Sequence, residues 1–201
     1  MVELPKIESI ELEQNTEAWE QYRREHYNAS EAAIILGIDP WRKERGTKVE
    51  PNEAIEHGHR YEPDALAFAR DLFGVPELEP AVYRRGKFSA SLDGITPDRS
   101  LLVEIKCPVK GSKSELWRSN RIPKNYMAQL AHQYAITEAG RCVFLVYCAF
   151  SRKAKTRDVP VDVLREFWWS VVYPAWVEYA KKNGEKTENG YLSGYLKPEN
   201  P

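Results

Sequence analysis

The sequence predicts an α/β protein, and three observations carry that prediction. Residues 80–108 hold three short strand-like stretches, AVYRR, KFSASLDG and SLLVEIKC, punctuated by turn residues. RCVFLVYCAF, residues 141–150, is a nearly continuous apolar run of strand length. Helical patterns over 52–73, 124–139 and 161–182 lie before, between and after these strands. A chain of 201 residues suits a single domain spanning 1–201, with 183–201 as a polar tail.

Taken in order, residues 1–15 read as extended and acidic, and 16–26 as a helix with Thr16 as N-cap. Ser30 opens SEAAIILG as an N-cap, and Gly37 stops that short helix. Residues 38–51 form a loop with Arg42, Lys43, Arg45 and Lys48. Asn52 caps a helix that runs to Phe73 and ends at Gly74. Pro63 falls inside it, which predicts a kink or a fresh start near Glu62. TPDR turns the chain between the second and third strands. Residues 109–124 are polar, with Lys110, Lys113, Arg118, Arg121 and Lys124 opposed only by Glu115. The helix over 124–139 is stopped by Gly140. After the apolar strand comes a basic cluster, Arg152, Lys153, Lys155 and Arg157, then an aromatic-rich helix bent near Pro174. The tail is rich in Gly, Asn and Pro and is expected to be loose or docked on a partner.

Composition removes several function classes. With 42% hydrophobic and 29% charged residues, the chain reads as soluble and globular. Its net charge of −1 leaves any basic surface local. Cys107, Cys142 and Cys148 form no CxxC pair, against a disulfide framework or structural zinc. They are expected to be reduced and buried. There is no signal-type apolar core, no lipid-anchor motif and no run of ~18 apolar residues, so a cytoplasmic location is expected. His57 and His59 do not share a helix face, which disfavours a zinc site with Glu62.

The chemistry concentrates in SASLDGITPDRSLLVEIKCP, residues 89–108. Strand alternation puts Leu101, Val103, Ile105 and Cys107 on one face of the last strand, and Leu102, Glu104 and Lys106 on the other. On its own, Glu-x-Lys on an exposed strand is an ordinary solvated ion pair. If the hairpin pairs, however, Asp93 comes near Glu104, giving two carboxylates beside an ammonium. That set suits metal-dependent phosphodiester cleavage. Carboxylates are hard ligands for Mg²⁺, which activates water and offsets charge on phosphate oxygens. Lysine positions the water or steadies the developing charge. The carbonyl of Ile105 lies within reach of the same ion.

SLDG followed by VEIKCP resembles the PD-(D/E)xK nuclease core, and more narrowly the phage lambda exonuclease and YqaJ-like viral recombinase family. NASEAAIILG, GHRYEPDALAFA and YMAQLAHQY match in the family's order, so the resemblance runs from about Arg23 to Tyr134. Leu92 stands where the family usually has proline, and Ala131 where it has a second glutamine, whose role is either absent here or taken by His132 or Gln133. The resemblance implies a restriction-endonuclease-like fold, a central mixed sheet flanked by helices. Its catalytic triad falls on Asp93, Glu104 and Lys106, with Glu62 completing the metal site alongside the Ile105 carbonyl. Gln129 falls where a glutamine contacts the scissile phosphate or the water. Arg23, Ser30 and Ser91 match a pocket for the 5′-terminal phosphate.

The implied activity is 5′→3′ degradation of double-stranded DNA from its ends, leaving 3′ single-stranded tails for recombination by strand annealing. It implies Mg²⁺, two ions, for which Mn²⁺ can substitute. It also implies a homotrimeric ring, a single-strand annealing protein as partner, and a phage or prophage gene expressed in a bacterial host. The basic stretches 106–124 and 152–157 fit contacts with the DNA backbone. Most tryptophans read as core or interface, with Trp41, beside Arg42 and Lys43, placed to touch DNA. Two rivals remain: a structure-specific or restriction-type endonuclease on the same core, and a non-catalytic DNA-binding module.

Overall fold

The computed structural model describes residues 4–46, 50–188 and 191–192. Lys48 and most of the tail, 189–190 and 193–201, lie outside the described residues. The elements are β1 (Ile7–Ile10), α1 (Glu17–Glu25), β2 (Tyr27–Asn28), α2 (Ala32–Ile35), α3 (Glu53–Phe73), β3 (Glu79–Arg85), β4 (Phe88–Ile95) and β5 (Leu101–Lys106). There follow α4 (Glu115–Arg118), α5 (Lys124–Thr137), β6 (Arg141–Cys148), β7 (Lys153–Val159), α6 (Val161–Phe167), α7 (Tyr173–Lys182), β8 (Thr187–Glu188) and β9 (Tyr191–Leu192).

A seven-stranded mixed sheet runs β1-β3-β4-β5-β6-β7, with β2 parallel to the start of β4. β5 and β6 are parallel. Parallel neighbours need a crossover, and α5 supplies it. Helices therefore cover both faces of these two strands. Leu102, Phe144 and Val146 pack under α5. Val103, Ile105, Val143 and Leu145 pack against Ala65, Leu66 and Ala69 of α3. Two-sided burial is why β6 reads as an unbroken apolar run. It also means that the Glu104 face is buried rather than solvated: Glu104 is 1% exposed.

Several expectations need correction. α3 runs unbroken through Pro63, with Asn52 capping it through the amides of Ala54 and Ile55 and Gly74 closing it at φ 66°. Proline there withholds one hydrogen bond from the His59 carbonyl without ending the helix. Ser30 is not an N-cap: it sits inside a 3-10 turn, Ala29–Glu31, entered from Asn28. α5 ends at Glu138, left-handed at φ 50°, before Gly140 is reached. Gly140 is instead a close approach, since a Cβ there would stand 3.2 Å from the Ser100 carbonyl oxygen. The basic cluster after β6 is a strand, β7, paired along its whole length with β6. Its charges hid it, yet lysines suit an edge strand that must not recruit another. The aromatic helix divides into α6, a π-helical turn Trp168–Val172, and α7, which carries Pro174 in its first turn, so the helix is irregular near Pro174. The three cysteines are free and buried.

His132 on α5 is fully buried between Phe88, Trp168 and Trp176. Its Nδ1 accepts from Trp176 Nε1 at 3.2 Å. Burial lowers its pKa to about 3. The unfolded chain, with an ordinary imidazole, then binds a proton that the folded chain refuses. The His132 contribution to stability is therefore constant above about pH 6.5 and falls as pH drops towards 3, by at most about 1.4 kcal/mol per pH unit. Urea unfolding at pH 7 and pH 5 should show this loss as a difference between the parent and His132→Gln, the parent losing stability relative to the variant as pH falls.

Candidate active site

β4 and β5 pair only at Gly94↔Val103 and Ile95↔Leu102. Beyond these pairs the strands part, and the gap is where the chemistry gathers. On its other side, β4 faces β3 with Leu92 opposite Ala81 and Ile95 opposite Glu79. β4 thus carries one extra residue at Asp93–Gly94, a bulge that re-aims a side chain. Asp93 turns into the gap, where its Oδ2 accepts the Ile105 amide at 2.7 Å. The N–H and C=O of a strand residue face the same neighbour, so the Ile105 carbonyl also opens towards β4. Gly94 is needed at this point: a Cβ would stand 3.0 Å from Leu78 Cγ and 3.1 Å from Leu66 Cδ1.

Glu104 is held on every side. Its Oε1 receives Lys106 Nζ in a close ion pair and Gln129 Nε2 at 2.8 Å, and its Oε2 receives Gln133 Nε2 at 2.6 Å. Lys106 Nζ also lies 5.2 Å from the centre of the Tyr126 ring. Burial opposes the Lys106 charge, but Glu104 and Asp93 outweigh it and raise its pKa above the usual lysine range. Burial and Glu104 hold Asp93 well above the usual carboxylate range, against the pull of Lys106. Glu62, on the second turn-pair of α3, is also raised by burial and by Glu104, with Lys106 and His59 opposing. Three carboxylates thus share one ammonium. Glu62, His59, Ile105, Lys106 and Tyr126 line a common cleft of about 460 Å³.

These donors fit a hard divalent cation: crowded carboxylates with a deficit of positive charge, plus a backbone carbonyl. Among the described residues no three acidic, histidine or cysteine side chains are already closed into a cage. Lys106 closes on Glu104 in its place.

A second constellation joins α1 and the 3-10 turn to Ser91 of β4. Arg23 Nη2 donates to Ser30 Oγ at 2.8 Å. Trp19 Nε1 donates to Ser91 Oγ at 2.7 Å, and the Arg23 guanidinium lies 4.4 Å from the centre of the Trp19 ring. Arg23, Ser30 and Ser91 are thereby brought together through Trp19, whereas Arg24 points away to Gln21 and Glu20. Because Ser30 caps nothing, its hydroxyl is available to Arg23. Burial lowers the Arg23 pKa, with Glu31 opposing. Trp19 and Arg42, which donates to the Ser30 carbonyl at 2.8 Å, were not among the expected site residues, whereas Gln133 was one of the two residues expected to stand in for the glutamine that Ala131 replaces. Trp19 was findable, being one helical turn before Arg23.

Residues 18–140 match the model of the YqaJ-like viral recombinase domain. The chain belongs to that family. Among solved structures it resembles an alkaline exonuclease from Laribacter hongkongensis, with a TM-score of 0.55 and 22% identity over 84% of this chain and 98% of that one. The same exonuclease in complex with dAMP gives 0.58 and 23% over the same shares. A phage-related exonuclease from Haemophilus somnus 129PT gives 0.53 and 12%, covering 79% of this chain and 96% of that one. At such identities the likeness is one of fold. No curated protein matches the chain significantly. Within the YqaJ-like match, Glu62, Asp93, Glu104, Lys106 and Gln129 all fall inside the matched residues, as do Arg23, Ser30 and Ser91.

Proposed function

We propose that this YqaJ-like protein is a Mg²⁺-dependent 5′→3′ exonuclease of double-stranded DNA that leaves 3′ tails for recombination by strand annealing. One observation carries the reading. Ser91, in the Arg23 pocket, and Asp93, in the carboxylate centre, are two residues apart on β4, roughly 6–7 Å along a strand. That is the scale of a single nucleotide step. A terminal phosphate seated on Arg23, Ser30 and Ser91 leaves the first phosphodiester at Asp93, so nucleotides leave one at a time.

Glu62, Asp93, Glu104 and the Ile105 carbonyl would hold the metal. Bound there, it supplies an activated water and offsets charge on the phosphate oxygens. The chain's own groups do the rest. Lys106, kept protonated by its carboxylate neighbours, turns from Glu104 towards the attacking water or the developing phosphate charge. Gln129 keeps an N–H to orient the same water or phosphate. Gln133 fixes Glu104 from behind. Arg23 reads the end as a charge-assisted donor.

A linear duplex labelled separately at each end, with and without 5′-phosphate, tests the polarity. Release from the 5′ end with Mg²⁺ and none in chelator is expected, with a circular duplex left intact. Cutting of the circle would favour an endonuclease. A gel shift without nucleotide release would favour a binding module. Arg23→Ala should lose most of its preference for phosphorylated ends, by about tenfold, while hydroxyl ends are cut at nearly the parental rate. The homotrimer and the annealing-protein partner rest on the family resemblance, and sedimentation tests the first. No helix among the described residues is long and apolar enough to cross a membrane.

A further inference from the structure

We propose that Trp41 is a base-stacking residue: its indole receives a nucleobase of the strand being cut, at the mouth of the Glu62–Lys106 cleft. The inference rests on the DNA-cutting reading of that cleft and adds a contact to the base, where the carboxylates and lysine address only the phosphate.

Trp41 is 75% exposed, an unusual state for the largest apolar side chain. Among the described residues no ring or guanidinium stacks on it. Yet its backbone is held firmly. Asp39, 5% exposed, accepts the Trp41 amide at 2.9 Å and the Arg42 amide at 2.6 Å, and pairs with the Arg42 guanidinium at 3.0 Å. Arg42 in turn donates to the Ser30 carbonyl, tying this turn to the phosphate pocket. A buried carboxylate and an arginine therefore fix the turn that presents an indole to solvent.

What the indole faces narrows its ligand. It lines the cleft with Ile55, Gly58, Leu116 and Tyr126 as well as Glu62 and Lys106. One part of the cleft suits a phosphate and its cation, and the Trp41 indole, Ala54, Ile55, Leu116 and the Tyr126 ring give the rest a mostly apolar lining. A nucleotide has that division, an anionic phosphate joined to an apolar-faced base. Stacking on an aromatic is tolerant of base identity, as an enzyme consuming any sequence requires.

The test is a cycle between protein and DNA. Binding of a blunt 5′-phosphorylated duplex is measured with Ca²⁺ replacing Mg²⁺, for the parent, Trp41→Ala and Trp41→Phe. Each duplex is used intact, or with an abasic site at the first or the second nucleotide of the 5′ end. On intact DNA, Trp41→Ala should bind about tenfold more weakly and Trp41→Phe nearly as the parent. One of the two abasic sites should erase the difference between parent and Trp41→Ala. An equal loss on intact and both abasic duplexes, or no loss on intact DNA, overturns the proposal. Nucleotide release by the parent with Mg²⁺ is read separately. Coupling without release would sink the nuclease reading and leave the stacking site standing.

Discussion

Lys106→Ala is expected to lower nucleotide release by at least about 10³-fold while the protein folds normally. Among the described residues, the Lys106 ammonium pairs with Glu104 and favours the ionised forms of Glu62 and Asp93. Without it, the ammonium that pairs with Glu104 is no longer there to face the water or the phosphate. The assay is acid-soluble nucleotide from a 5′-phosphorylated duplex, with circular dichroism to verify folding. Full activity would sink the assignment.

Asp93→Asn should lose as much activity and separate chemistry from stability. Asparagine still offers an oxygen to the Ile105 amide, so the bulge keeps its anchor. The Asp93 pKa is raised in the folded protein, mainly by burial and Glu104. The folded chain therefore binds a proton more readily than the unfolded one, and ionised Asp93 weakens the metal-free fold as pH rises above about 4. In chelator at pH 8, Asp93→Asn should melt a few degrees higher than the parent, since about 1 kcal/mol moves Tm by 2–4 °C at this chain length. The gap should close towards pH 4. Adding Mg²⁺ should raise the parent and leave the variant nearly unmoved. A variant that melts lower at pH 8 would contradict the crowded-carboxylate description.

What the sequence disclosed follows from how local each signal is. The alternation in SLLVEIKC needs only a strand, and both faces of β5 are as the alternation predicts. Thr16, Asn52 and Gly74 act through hydrogen bonds or dihedrals within a turn or so of themselves, and all three do what their residue types suggest. The burial of the Glu104 face was not legible, because it depends on α5 crossing the sheet from elsewhere in the chain. The bulge at Asp93–Gly94 was hidden too, since an extra residue is defined only against β3. β7 was missed because an edge strand draws its stability from pairing with β6 and needs little apolar content of its own. Ser30 shows the opposite fault: a serine before an apolar run is a reasonable cap, but Asn28 and a 3-10 turn enter first.

Gln133 shows most clearly what the tertiary structure adds. The family's second glutamine is replaced by Ala131, and of the two residues expected to take its role, His132 is packed among Phe88, Trp168 and Trp176 while Gln133 donates to Glu104 Oε2 at 2.6 Å. In a fully buried position, that bond is the only one recorded on this oxygen among the described residues. Gln133→Leu should leave the oxygen without a donor and cost about 1–3 kcal/mol of stability. If Glu104 holds the metal as proposed, losing the donor that orients it should also lower Mg²⁺ affinity and nucleotide release about 10–100-fold. Gln133→Glu separates the two effects. A second carboxylate beside Glu104 repels it when ionised but donates to it when protonated, so that variant should regain stability as pH falls from 8 to 6 while Gln133→Leu does not. Melting curves across that range, together with Mg²⁺ titration of heat of binding on the inactive Lys106→Ala background, read each consequence separately. If Gln133→Leu binds Mg²⁺ as its Lys106→Ala parent does, Glu104 is held by Gln129 alone and the carboxylate needs no second anchor.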